Sequence, residues 1–150
     1  MHILKISKTK EKCCMDKEYY DALAQVRLDR AKELVVESEQ LLEKEAYKSA
    51  NNRAFYAIEK SIKALLALKQ TDVATHNGAL KQFNFLYIYN GDGIFTNKDY
   101  QMITRADQIR NASDYDDFYV ASKEETIQQV ENARKLTEKV SKYVKNLSEK

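Results

Sequence analysis

The chain has 150 residues, of which 43% are hydrophobic and 32% charged, with no proline and only three glycines. This length and composition predict one compact all-α domain and exclude a many-stranded β fold, whose turns glycine and proline would mark. The formal net charge of +2 produces no overall field that requires a polyanionic partner, although local charge clusters can still bind one.

Residues 1–16 are rich in lysine and lack helical periodicity, so we expect a flexible basic N-terminal arm before a single bundle domain over residues 17–150. No apolar run is long enough for a secretory signal or for the roughly 20 residues that cross a bilayer. Cys13 and Cys14 are adjacent, which disfavours an ordinary disulfide, and they do not complete a zinc site. We therefore expect a soluble cytoplasmic protein, with no membrane contact, metal or cofactor.

Two long helices are predicted first. From about Lys17 to Lys44, apolar residues recur with a period near 3.6 and charged residues fill the other face, as in an amphipathic helix. From about Tyr47 to Lys69, apolar residues cover more than one face, which indicates burial by several neighbours. This second helix should therefore be the central one.

The segment after the central helix allows two interpretations. Turn and cap formers occupy residues 70–78, and an apolar segment follows from Leu80 to Ile88. Aromatic residues alternate with period two between Phe83 and Tyr89, which suits a strand. An isolated strand would have nothing to pair with, so we predict a short helix, and Asn90-Gly-Asp-Gly93 predicts a turn.

Two further helices complete the chain. Thr96 begins a fourth helix that runs to about Asn111, and Ser122-Lys-Glu-Glu125 is a capping box that opens the last one. Because short connections join the helices, we predict an up-and-down bundle of four long helices plus one short helix. This architecture alone does not predict a function.

Two polar patches interrupt these helices at positions that are costly to bury. They are Asn51-Asn-Arg53 with Tyr56 on the central helix, and Arg110-Asn111 with Asp114, Asp116 and Asp117 at the end of the fourth. If the guanidinium groups of Arg53 and Arg110 share one cleft, their planar donors would bind phosphate. Alternatively, each pairs with a carboxylate, such as Glu59 or Asp114, and only fixes the helix register.

Three other features near these patches are ambiguous. His76 is either a capping or loop hydrogen-bond partner, or a phosphate contact and surrogate base near Arg110. The aspartates favour a solvated acidic loop over a divalent-ion site. Tyr115 is expected to pack its ring on the bundle and to hydrogen-bond through its hydroxyl.

Three segments together resemble the HEPN superfamily over about residues 18–145: Asn52-Arg-Ala-Phe-Tyr-Ala57, His76-Asn-Gly78 and Arg110-Asn-Ala-Ser-Asp-Tyr115. The narrower resemblance is to small HEPN proteins related to those associated with nucleotidyltransferases. It implies a helical bundle that forms a homodimer, with the two fourth-helix motifs near a shared cleft. Family members act as metal-independent ribonucleases, often toxins, or as nucleotide-binding partners of minimal nucleotidyltransferases.

In the active ribonucleases of this superfamily, an arginine is followed four to six residues later by a histidine. Arg110 matches the arginine and Asn111 the polar residue beside it, but positions 115–117 are Tyr, Asp and Asp. A general base needs a pKa near neutrality, which histidine supplies at about 6.5, whereas tyrosine starts near 10 and aspartate near 4. The missing histidine removes chemistry but leaves anion binding intact.

We therefore expect a non-catalytic or weakly catalytic module that binds nucleotide or RNA phosphate and acts with a partner in a toxin–antitoxin or stress-defence system. The expected binding residues are Arg53, Arg110, Asn52, Asn111 and His76, supported by Tyr56, Asp114 and Tyr115. One alternative is a metal-independent endoribonuclease toxin with Arg110 as its catalytic residue. The other is a purely structural, dimerising scaffold.

Overall fold

The computed structural model describes the backbone of residues 2–150 and the side chains of residues 15–150. The described chain contains five α-helices and no strand, so the predicted all-α class is confirmed. The helices are α1 (His2–Glu43), α2 (Tyr47–Leu68), α3 (His76–Phe83), α4 (Asn97–Tyr115) and α5 (Lys123–Ser148), and α3 continues as a π-helix over Asn84–Tyr89. No helix in this range is both long enough and apolar enough to cross a membrane.

The first helix begins much earlier than predicted. The α1 backbone is helical from His2, whereas the sequence predicted an arm over residues 1–16 and a helix start near Lys17. Neither proline nor glycine occurs between His2 and Glu43, so nothing ends the helix, and lysine and glutamate are good helix formers. The lack of apolar periodicity before Lys17 showed only that this part of the sequence has no apolar stripe to bury. It did not exclude a helix. Met1 and the side chains of residues 2–14, including both cysteines, lie outside the described part.

α2 is the central helix, as predicted, and packs against α1, α3, α4 and α5. Its core residues, such as Ala54, Ile58 and Leu65, are fully buried. α1 and α4 run antiparallel to α2, whereas α5 runs parallel to it, which gives the predicted up-and-down bundle. The cross-helix neighbours that fix these directions are Glu37–Arg53 and Arg27–Lys63 for α1, Phe55–Arg110 and Ile62–Ile103 for α4, and Asn51–Thr126 and Ser61–Thr137 for α5.

α3 begins at His76 rather than at the predicted Leu80. Thr75 caps it, because the Thr75 hydroxyl oxygen accepts a hydrogen bond from the amide of Gly78 at 3.0 Å. A Cβ atom at Gly78 would lie 2.4 Å from Cγ1 of Val73, so the first turn of α3 needs glycine at this position. The cap and the glycine together fix where His76 enters the bundle.

The alternating aromatic residues belong to a helix, which confirms the preferred interpretation. Phe83 and Tyr87 are buried and stacked, while Phe85 and Tyr89 are exposed and stacked. The alternation in the sequence therefore comes from two pairs, Phe83–Tyr87 and Phe85–Tyr89. Each pair has the i, i+4 spacing of a helix, and the two pairs lie on different sides of it. The buried Tyr87 hydroxyl donates to the carbonyl oxygen of Leu65, which ties the π-helix to α2.

The ends of α4 and α5 show one correction and one confirmed cap. α4 runs to Tyr115, about one turn beyond its predicted end, since Arg110 binds Asp114 at spacing i, i+4. Ser122 caps α5, with its hydroxyl oxygen accepting from the amide of Glu125 at 3.1 Å. The second half of the predicted capping box is not formed, because the Glu125 carboxylate accepts from the Tyr119 hydroxyl at 2.5 Å and so secures the α4–α5 loop to α5.

Candidate functional site

One face of α2 turns towards α3 and α4. It carries Asn52, Phe55, Tyr56 and Glu59, which follow the i, i+3, i+4, i+7 spacing of a single helix face. Phe55 and Glu59 are buried, whereas Asn52 and Tyr56 are partly exposed. With His76 of α3 and Arg110 of α4, these residues form what we call the Phe55 site.

Arg110 lies over the Phe55 ring, with its guanidinium carbon 4.7 Å from the ring centre. Only 7% of its side chain is exposed. One terminal nitrogen donates to Asp114 at 3.2 Å, and the other donates to Asn111 at 2.7 Å and to Asp107 at 3.3 Å. The buried Nε has no partner among the described residues. Neighbouring side chains thus already occupy the two outer nitrogens.

The charge on Arg110 is permanent. Burial by itself lowers the pKa of this arginine, but the hydrogen bond and negative charge of Asp107 outweigh burial, with smaller contributions from Tyr115 and Tyr56. The pKa of Arg110 is therefore raised above its ordinary value. Arg110 acts as a fixed cation beside the ring, not as a group that exchanges protons.

His76 reaches the same ring from α3. The His76 ring stands edge-on to Phe55, with the two ring centres 5.6 Å apart, and its Nδ1 is hydrogen-bonded to the Glu59 carboxylate. Lys63 also pairs with Glu59, at 3.5 Å. Because Glu59 holds Nδ1, the second ring nitrogen, Nε2, is left for other partners. The His76 side chain is 39% exposed, so this nitrogen can meet a ligand at the surface.

The structure does not bring Arg53 to this site. Arg53 lies two residues from Phe55, which is about 200° around α2, and its side chain is 45% exposed. Its Nε pairs at 3.5 Å with Glu37 of α1, not with Glu59. The two arginines therefore face different helices, and each takes carboxylate partners, as in the alternative interpretation of the sequence.

The space inside the site is too small for a ligand. The gap enclosed by Phe55, His76 and Ile103, among other side chains, is about 10 Å³. This volume is close to the least that a single water needs. Any ligand must therefore bind on the outer surface, where Asn52, Tyr56 and His76 are accessible.

A model of the HEPN domain matches residues 24–147. The chain belongs to the HEPN family. It is 27% identical over 119 residues to a UPF0332 protein of Thermotoga maritima, an alignment covering 79% of this chain and 88% of that protein. Two proteins of Methanocaldococcus jannaschii are also similar. "Putative toxin MJ0605" is 32% identical over 92 residues (61% of this chain, 66% of that protein), and "Putative toxin MJ0142" is 27% identical over 117 (78% of each).

The last residue of α4 and the loop that follows it in this HEPN domain carry exposed, large apolar side chains. Tyr115 is 80% exposed, so the prediction that its ring packs on the bundle was wrong, and Phe118 and Val120 are 93% and 84% exposed. Asp114 pairs with Arg110, and Asp116 accepts from the amide of Phe118 at 3.0 Å. These two aspartates therefore fix the conformation of the loop and hold its apolar side chains at the surface.

Sequence reasoning missed Phe55 and Glu59 as members of the Phe55 site and Asp107 as a partner of Arg110. Phe55 was quoted only within the segment that resembles the HEPN superfamily, Glu59 only as a possible partner of an arginine, and Asp107 was not considered. Asp107 could have been found, because it precedes Arg110 by three residues, the spacing of a helical ion pair. Asn51, by contrast, is structural, since it is buried and its amide donates to the Thr126 hydroxyl of α5 at 3.3 Å.

Proposed function

We propose that this HEPN protein is a toxin-related module that binds phosphate groups of RNA or of a nucleotide at the Phe55 site and acts with a partner protein. The supporting observation is that His76 and Arg110, from separate helices, contact one ring. Asn52 and Tyr56 add polar groups on the accessible rim. The toxin names of two relatives favour this class of function.

His76 is the direct contact in this proposal. Its Nε2 donates to a phosphate oxygen, while Arg110 supplies a fixed positive charge over the Phe55 ring. The three carboxylates of Glu59, Asp107 and Asp114 outnumber the two cations that they pair with, Arg110 and Lys63. A single protomer should therefore bind weakly, so the proposal includes a second chain that strengthens the site.

The α4–α5 loop is the proposed contact for that second chain. Tyr115, Phe118 and Val120 follow directly after Asp114, and such a group of exposed large side chains marks interaction surfaces. We propose a homodimer in which this loop meets the other protomer beside the Phe55 site, with a minimal nucleotidyltransferase as the alternative occupant. Phe118→Asp should convert a dimer into a monomer in sedimentation experiments, and a wild-type monomer would argue against the homodimer.

A second candidate is a metal-independent endoribonuclease, and the His76–Glu59 hydrogen bond favours it. In that reaction Nε2 of His76 removes the proton of a ribose 2′-hydroxyl, and the 2′ oxygen attacks the adjacent phosphorus. The bond from phosphorus to the 5′ oxygen breaks and the leaving 5′ oxygen takes a proton from water, which gives a 2′,3′-cyclic phosphate and a 5′-hydroxyl. Glu59 orients the imidazole through its hydrogen bond to Nδ1.

A single nucleotide and a structured RNA together distinguish the two candidates. Wild type, His76→Ala, Arg110→Lys and the neighbouring control Asn77→Ala are compared for binding of the single nucleotide and for cleavage of the RNA. If wild type binds but does not cleave, and His76→Ala loses the binding, the phosphate-binding module is supported. If wild type cleaves and His76→Ala does not, the ribonuclease is supported. Equal binding by the His76 and Asn77 variants would refute both. Arg53→Ala should bind as wild type, since Arg53 lies outside the site.

A further inference from the structure

A second surface lies along the seam where α1 and α5 run antiparallel. Two adjoining hollows of about 690 Å³ and 350 Å³ line this seam and share Lys32, Ser141 and Lys145. They extend from Lys17 to Lys32 on α1 and from Thr137 to Ser148 on α5. We call this surface the α1–α5 groove.

The groove carries positive charge that is not balanced by the side chains described. Lys32, Lys142 and Lys145 are exposed, and none of them forms an ion pair with any residue of 15–150. Of the two acidic residues lining the groove, Asp21 pairs with Lys17 and Glu138 pairs with Arg134. Lys142 and Lys145 repel each other at spacing i, i+3 on α5, and Lys32 repels them across the seam. An anion bound in the groove would relieve this repulsion.

The dimensions and lining suit a nucleic-acid strand. Lys17 and Lys32 are about 22 Å apart along α1 by helix rise, which matches roughly six phosphates of one strand. Gln25 and Ser141 add the polar donors that typically contact phosphates. No aromatic residue lines the described groove, so bases cannot stack there and binding must depend on contacts to the phosphates.

The groove is separate from the Phe55 site. Leu68, which lies at its base, is about 220° around α2 and about 20 Å along it from Phe55. At the Lys17 end, the α1 backbone continues towards His2 through a segment whose sequence contains four more lysines. A strand in the groove would therefore extend along α1, not into the Phe55 site.

We propose that the α1–α5 groove binds the sugar–phosphate backbone of single-stranded RNA and holds it on the protein independently of the Phe55 site. The choice of RNA over other polyanions rests on the proposed function. Lysine contacts to phosphate carry no sequence information, so the groove binds RNA without sequence preference and with strong salt dependence.

Binding of a labelled single-stranded RNA of about twelve nucleotides, measured by fluorescence anisotropy over a salt series, tests the groove. The double variant Lys32→Glu/Lys145→Glu is compared with Lys98→Glu/Lys123→Glu, which changes the same charge at exposed positions on α4 and α5 outside the groove. Circular dichroism confirms that each variant is folded. The groove variant should lose at least about tenfold in affinity and show a shallower salt dependence, while the control should lose much less.

Equal losses in the two double variants would overturn the proposal, and so would undetectable RNA binding by wild type. Poly-glutamate that displaces the RNA as effectively as unlabelled RNA would instead assign the groove to an acidic protein. His76→Ala should keep its affinity for this short RNA. His76→Ala therefore tests the Phe55 site and Lys32→Glu/Lys145→Glu tests the groove, so either proposal can be refuted without the other.

Discussion

Arg110 lies on the side of the bundle where α2 meets α4, and Arg53 lies on the side where α2 meets α1. Both arginines pair with carboxylates, but their surroundings differ. Arg110 is buried over Phe55 with three hydrogen-bond acceptors, whereas Arg53 is half exposed with one carboxylate at 3.5 Å. Water weakens the exposed Arg53–Glu37 pair, whereas it is largely absent around the buried Arg110 and its aspartate partners. Burial, not residue type, decides how much an arginine contributes.

Substituting each arginine by alanine gives the largest expected difference between the two sides. Arg110→Ala leaves Asp107 and Asp114 without their cation, so it should lower the free energy of unfolding by about 2–3 kcal/mol. Arg53→Ala should change it by about 0.5 kcal/mol or less, because an exposed pair contributes little. Urea unfolding measures both values, and equal losses would contradict the comparison.

A smaller effect is expected at Gly78, in the first turn of α3, which positions His76 at the Phe55 site. Gly78→Ala sets a Cβ atom 2.4 Å from Val73 and 2.7 Å from the Thr75 hydroxyl that caps α3. Overpacking and cap loss should together reduce the free energy of unfolding by about 1–2 kcal/mol. Asn77→Ala is exposed and should cost about 0.5 kcal/mol at most. If Gly78→Ala were neutral in thermal unfolding, the turn would not hold His76 in place.

The smallest effect concerns the Tyr119–Glu125 hydrogen bond at the end of the α4–α5 loop. Burial, and then Glu125, raise the pKa of Tyr119 to about 12. Since this is above the unfolded value of about 10, the stabilisation is complete below about pH 10 and is lost as the pH rises towards 12. Tyr119→Phe should cost about 0.5–1 kcal/mol at neutral pH, and its deficit relative to wild type should shrink above pH 10.

Urea unfolding at several alkaline pH values measures this change. Tyr89→Phe is the matched control, because the Tyr89 hydroxyl is exposed and makes no hydrogen bond within the described residues. Its deficit should stay near zero throughout. A deficit of Tyr119→Phe that does not vary with pH would show that its hydroxyl contributes packing only.

The fold and part of the site could be predicted from local patterns. Helix propensity and apolar spacing predicted the bundle and its central helix, and Ser122 was correctly assigned as a cap. The patches at Asn52–Tyr56, His76 and Arg110 do meet. The start of α1 was missed because a helix without an apolar stripe has no periodic signal, although its residues favour helix.

The sequence by itself determined the helical class, the order of the elements and the HEPN family, because propensities, caps and motif spacings are properties of neighbouring residues. Only the tertiary structure decided that Phe55, His76 and Arg110 share one site while Arg53 pairs with α1. Contacts between such distant positions depend on how far each helix is rotated about its own axis. That rotation is set by the packing of the whole core, which no local segment contains.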